Sequence, residues 1–153
     1  MERVCEALEQ VYKAVTDVKN GFGVLDFKKW MPYSIMIVPL TEMLMNLNEN
    51  KLQSPNNYNK IKCWYWAAVF SNRYDEAVDT KSYNDYDDLK EWCKDDQKIL
   101  EFMKKFDAKT VDLEVDKQSS AIYRGVMSLT VLMELWILKR ENLLNLLQRN
   151  CRI

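Results

Sequence analysis

Three carboxylates close together, Asp85, Asp87 and Asp88, are the feature of this sequence that most suggests a metal site. Carboxylate oxygens are preferred ligands of Ca²⁺ and Mg²⁺, and calcium loops place them at fixed spacings. The cluster lacks the glycine and the closing glutamate of an EF-hand loop. We therefore interpret these acids as residues of a first helical turn, where they cap the helix and complement its dipole, and we predict no metal site.

The aromatic run Trp64-Tyr65-Trp66 could stack on nucleic-acid bases. Proteins that bind single strands in this way interleave aromatic rings with basic residues that follow the phosphates. Here the nearby lysines, Lys60 and Lys62, both precede the run. The run is therefore predicted to be the core of a helix, and the sequence carries no direct signal for nucleic-acid binding.

Cysteine and histidine usage excludes several kinds of catalytic site. The four cysteines form no C-x-x-C pair, which argues against zinc and for reduced thiols in a cytoplasmic protein. No histidine occurs, so the chain has no Ser-His-Asp or Cys-His nucleophilic site and no two-histidine zinc site. We predict no catalytic residue, no cofactor and no enzymatic activity. The cysteines are Cys5, Cys63, Cys93 and Cys151.

Composition indicates one globular domain over residues 1–153. Hydrophobic residues make up 48% and charged residues 29%, and glycine and proline number three each, too few for a disordered linker. The net charge of −1 gives no overall field that attracts nucleic acid or an anionic membrane. The first residues are acidic, unlike a signal peptide, and the longest apolar run contains Arg124 and Glu134, unlike a membrane span.

Hydrophobic spacing predicts helices along nearly the whole chain. The first helix has apolar residues three and four apart and ends near Asn20-Gly21. Pro39 indicates that the next helix begins late or is kinked. Ser54-Pro55 marks the start of a helix that contains the aromatic run and lies at the centre of the bundle. The apolar face of the first helix consists of Val4, Leu8, Val11, Val15 and Val18.

The second half of the chain adds an acid-rich helix and a long apolar one. The segment 75–96 has a modest apolar face, and the last long helix begins after Ser119 or Ser120. Because this last helix is apolar nearly all round, it must be covered by a second copy or by a partner domain. Its terminal leucines are Leu143, Leu144, Leu146 and Leu147, and the residues predicted to be largely buried are Trp64, Val69, Leu129 and Trp136.

The segment 111–115 is the one strand-like pattern, because Val111, Leu113 and Val115 alternate with acids. It forms a loop, pairs with the segment 24–27, or offers an open edge to another chain. The predicted fold class is therefore all-α: a single compact bundle of about five to seven helices with at most one short β pairing.

The turn Asn72-Arg73-Tyr74 follows the aromatic helix and leaves three roles open for its arginine. A basic side chain at this point can bond the last carbonyls of the helix. It can also pair, buried, with one of the acids in the segment 75–88. Contact with a ligand is the third role.

Three segments occur in an order that is typical of one family. They run from Met31 to Leu40, from Lys62 to Trp66 and from Phe70 to Tyr74, and a later segment, 120–124, continues the pattern. This order resembles the helical middle region of the GmrSD-type restriction endonucleases over about residues 30–138. The family-matching positions, whose roles the sequence leaves open, are Pro32, Tyr33, Trp64, Arg73 and Tyr74.

In that family a ParB-like nucleotidase domain precedes the helical middle region and an HNH nuclease domain follows it. This chain has neither the Asp-Gly-Gln-Gln-Arg motif of the nucleotidase nor any histidine. The resemblance therefore implies a non-catalytic scaffold or linker that holds nucleotidase and nuclease domains in register, in cis or as separate chains, in DNA restriction or phage defence. The alternative is a free-standing helical interaction module, such as a homodimer or an antitoxin-like binder. An enzyme that uses carboxylates and arginine ranks last.

Overall fold

Seven α-helices and two 3-10 turns, with no β-strand, make up the residues that the computed structural model describes, 2–48 and 55–137. The helices are α1 (Glu2–Thr16), α2 (Phe27–Trp30), α3 (Ile37–Asn48), α4 (Pro55–Phe70), α5 (Val78–Lys94), α6 (Glu101–Lys105) and α7 (Ala121–Ile137); the 3-10 turns are Ser34–Met36 and Ala108–Thr110. They form a compact bundle, so the all-α prediction is confirmed.

The apolar face predicted for α1 is buried only in its C-terminal half. Val11 and Val15 are 1% and 0% exposed, whereas Val4 and Leu8 are 55% and 45% exposed. In its first two turns α1 buries Ala7, which is 3% exposed, while Val4 and Leu8 are left largely uncovered by the described chain.

Proline and serine mark the helix starts much as expected. The 3-10 turn Ser34–Met36 precedes α3, and Pro39 lies in the first turn of α3, where its missing N–H costs no hydrogen bond. Of the two possibilities that Pro39 left open, a late start and a kink, the late start is the one observed. Helix α4 begins at Pro55 as predicted, and the proposed cap, Ser54, lies outside the described residues.

Helix α4 is the centre of the bundle, and α7 packs closely against it. Every residue from Cys63 to Phe70 is buried. A β-carbon on Gly125 of α7 would lie 2.6 Å from Val69 Cγ1, so this glycine permits the close approach of the two helices. Ser120 Oγ accepts the Tyr123 N–H at 3.1 Å, which makes Ser120 the cap of α7.

Three of the four predicted core residues are confirmed. Trp64, Val69 and Leu129 are 0%, 0% and 1% exposed. The side chain of Trp136 lies outside the described residues, and so do Leu143, Leu144, Leu146 and Leu147.

The segment 111–115 forms an extended loop rather than a strand, and the pairing with the segment 24–27 is absent. Asp26 caps α2 by accepting the N–H groups of Lys28 and Lys29, so Phe27 is already helical. The Val24 N–H donates to the Val15 carbonyl at 3.0 Å. Local capping and this contact with α1 thus use the backbone that a strand pairing would need.

None of the helices among the described residues combines the length and the apolar character needed to cross a membrane.

Candidate functional site

Asp85, near the middle of α5, is a charged side chain with 0% of its surface exposed. It lies on the buried face of α5 with Ser82, Leu89 and Trp92, at spacings of three and four residues. A buried carboxylate must be paired or fully hydrogen-bonded, since desolvation alone strongly disfavours the charge. Its surroundings therefore define the candidate site.

Three side chains donate hydrogen bonds to the Asp85 carboxylate. The Arg73 guanidinium donates from Nη2 at 2.6 Å and from Nε at 3.1 Å to Oδ1, with a second Nε contact of 3.2 Å to Oδ2. The indole Nε1 of Trp64 donates at 3.2 Å and the hydroxyl of Tyr74 at 2.6 Å, both to Oδ2. Of the three roles open for Arg73, the buried pairing with an acid is the one observed.

The turn after α4 places Arg73 and Tyr74 beside α5. Asn72 has φ of 53°, a left-handed conformation that asparagine tolerates better than most residues. This turn lets the Arg73 N–H donate to the Ala68 carbonyl at 3.0 Å and ends the helix. The backbone of Arg73, not its side chain, thus satisfies a carbonyl at the end of α4.

An aromatic ring supports the outer face of the same arginine. The Arg73 Cζ atom lies 4.2 Å from the centre of the Phe102 ring on α6. The Arg73 side chain is 21% exposed, whereas that of Asp85 is fully buried. The guanidinium is therefore the part of the network closest to solvent.

Tyr33 extends the network to the link before α3. Its ring meets the edge of the Tyr74 ring at a centroid distance of 5.6 Å, and its hydroxyl donates to Asp75 Oδ1. Burial, and then the Asp75 carboxylate, raise the pKa of Tyr33, so the phenol stays protonated and remains a donor.

The link that carries Tyr33 is also held from α7. Pro32 is buried directly before Tyr33. Arg124 Nη1 donates to the Met31 carbonyl at 3.1 Å. The structure therefore brings four of the family-matching positions, Tyr33 and the three donors to Asp85, into one connected network, and places Pro32 beside it.

The chemistry open to this network is limited by how completely it is bonded. Burial, and then the Asp85 carboxylate, raise the pKa of Tyr74, which keeps its proton on the hydroxyl. A carboxylate has about four lone-pair sites, and here Oδ1 accepts from two nitrogens of Arg73 while Oδ2 accepts from Arg73, Trp64 and Tyr74. These hydrogen bonds leave the Asp85 carboxylate no free lone pair with which to bind a further ligand. The network connects α4, α5, α6 and the link before α3.

The acidic cluster does not act as a unit, and its interpretation as a first-turn cap is wrong. Helix α5 begins at Val78 with Asp79 in its first turn, so the cluster lies in the middle and second half of the helix. Asp87 and Asp88 are exposed while Asp85 points inward. Within the described ranges, no group of three or more Cys, Asp or Glu side chains is placed to hold a metal ion.

The aromatic run is core, as predicted. Trp64, Tyr65 and Trp66 are at most 1% exposed, and the Phe22 ring packs against Tyr65 at 4.2 Å. These rings are therefore closed to a nucleic-acid base.

No disulfide joins the cysteines of the described residues. Cys63 and Cys93 are buried and Cys5 is exposed. Burial raises the pKa of Cys93 to about 11, which keeps its thiol protonated and unreactive near neutral pH. Cys151 lies outside the described residues.

One buried cation was not found by sequence reasoning. Lys60 Nζ donates to the Trp92 carbonyl at 2.6 Å and forms an ion pair with Asp96 at 2.5 Å, although its side chain is only 7% exposed. Nothing in its sequence context distinguishes it from a surface lysine.

The burial of Asp85, by contrast, could have been predicted from the sequence. It lies four and seven residues before Leu89 and Trp92 and so shares their apolar face.

Comparison with known proteins gives one distant relative. The chain is 29% identical over 134 residues to the uncharacterized protein MJ0686 of Methanocaldococcus jannaschii, which covers 83% of this chain and 22% of that protein. The chain thus spans about a fifth of the length of the relative. No protein-family profile matches the chain, and no solved structure matches it.

Proposed function

We propose that this chain is a non-catalytic helical scaffold, similar to the middle region of GmrSD-type restriction endonucleases, that holds nucleotidase and nuclease domains in register. The observation that carries the proposal is that three of the family-matching side chains bind a buried group within the bundle. Trp64, Arg73 and Tyr74 are directed at a buried carboxylate instead of lining an open cleft.

A scaffold needs a fixed relation between its helices, and this network supplies one. Charge-assisted hydrogen bonds are short, directional and about twice as strong as neutral ones. Asp85 binds one donor from α4 and two from the turn that follows it, while Phe102 of α6 covers the arginine. The match to one part of a much longer archaeal protein supports a role as one module of a larger assembly.

A domain exchange tests the scaffold role. The whole chain, residues 1–153, would replace the helical middle region of a GmrSD-type endonuclease, because α1 contributes the buried Val11 and Val15 to the core, and nucleotide-dependent cleavage of modified DNA would be measured. We expect cleavage to be retained. A helical bundle of equal length and unrelated sequence, placed at the same junctions, is the control that should give no cleavage.

The Asp85→Ala variant of the same chimera should lose cleavage, because the register between the helices is lost. A chimera that folds with a native-like helical spectrum but never cleaves DNA would contradict the proposal.

The isolated chain is expected to have no hydrolytic activity of its own. Pure protein would be incubated with modified and unmodified DNA, with each nucleoside triphosphate, and with Mg²⁺ or Mn²⁺. Turnover that co-elutes with the protein in size-exclusion chromatography, and that disappears in an Asp88→Asn variant, would show an enzyme instead.

One observation favours the alternative, a free-standing interaction module. The side chains of Val4, Leu8 and Tyr12 on α1 are all at least 45% exposed. An exposed apolar stripe on a helix is a common binding surface for another protein. If this module is antitoxin-like, the chain should co-purify with the product of a neighbouring reading frame, and Leu8→Glu should release that product.

A further inference from the structure

We draw no further inference here: the strongest candidate, the small apolar pocket between α2 and α7 that is lined by Leu25, Trp30 and Met127, opens on an exposed apolar face, and nothing among the described residues shows what covers that face.

Discussion

Replacing Asp85 with alanine is expected to lower the free energy of unfolding by about 3–5 kcal/mol, the usual cost of removing one partner of a buried ion pair. Arg73 is 21% exposed, so water recovers part of its solvation and lowers this cost. Trp64 and Tyr74, both buried, also lose their acceptor, and each unsatisfied donor adds about 1–3 kcal/mol. Solvation of Arg73 lowers the cost and the unsatisfied donors raise it, so the expected loss in the free energy of unfolding stays at about 3–5 kcal/mol.

Urea unfolding followed by far-ultraviolet circular dichroism measures this cost. In a chain of this size each kcal/mol lowers the melting temperature by about 2–4 °C, so the melting temperature of Asp85→Ala should fall by about 6–20 °C. Asp85→Ala/Arg73→Ala should cost less than the sum of the two single variants by about 1–3 kcal/mol, because each single variant already breaks the same pair.

Asp88→Ala is the matched control, since Asp88 is exposed on the same helix and should change stability by about 0.5 kcal/mol or less. If Asp85→Ala and Asp88→Ala have equal effects, Asp85 is not the buried acceptor described above. Additive single variants of Asp85 and Arg73 would likewise contradict the pairing.

Three further predictions concern packing, reactivity and pH. Gly125→Ala should destabilise the protein by about 1–3 kcal/mol in urea unfolding, although alanine favours a helix by about 1 kcal/mol, because its β-carbon would lie 2.6 Å from α4. Cys5 should react with iodoacetamide far faster than Cys93 in the folded protein, since one is exposed and the other buried with a pKa of about 11, and mass spectrometry of the labelled peptides distinguishes them. Burial raises the pKa of Tyr65 and of Tyr74 above the unfolded value of about 10. The stability that they contribute is complete below that pH and is lost above it, so ultraviolet absorbance should show their ionisation only as the helical signal disappears.

The helix starts could be predicted because caps and prolines act within a few residues. Pro39 and Pro55 lack the N–H that a helix interior requires, and Ser120 accepts an N–H three residues later. These effects depend on the local chain alone. The strand-like pattern at 111–115 left a loop, a pairing and an open edge undecided, since alternation shows which side chains turn inward but not whether a second strand is present.

The site could be predicted only in outline. The sequence indicated that Arg73 could pair with a nearby acid, and Asp85 shares an apolar face with Leu89 and Trp92. The choice of this acid over Asp87 or Asp88 depends on which face of α5 meets α4, and that is a property of the assembled bundle. The exposure of Val4 and Leu8 has the same origin, because periodicity describes a face of a helix and not the neighbour that covers it.

The bundle is held together by packing between its helices and does not need the chain that connects α6 to α7. The connection from residue 111 to residue 117 is neither helix nor strand, and Lys117 is exposed on it. Among the loops of the described residues, trypsin should therefore cut the native protein here first. Because Gly125 and its neighbours keep α7 against α4, the two fragments should remain together as a noncovalent complex, and separately expressed fragments should reassemble into the same bundle.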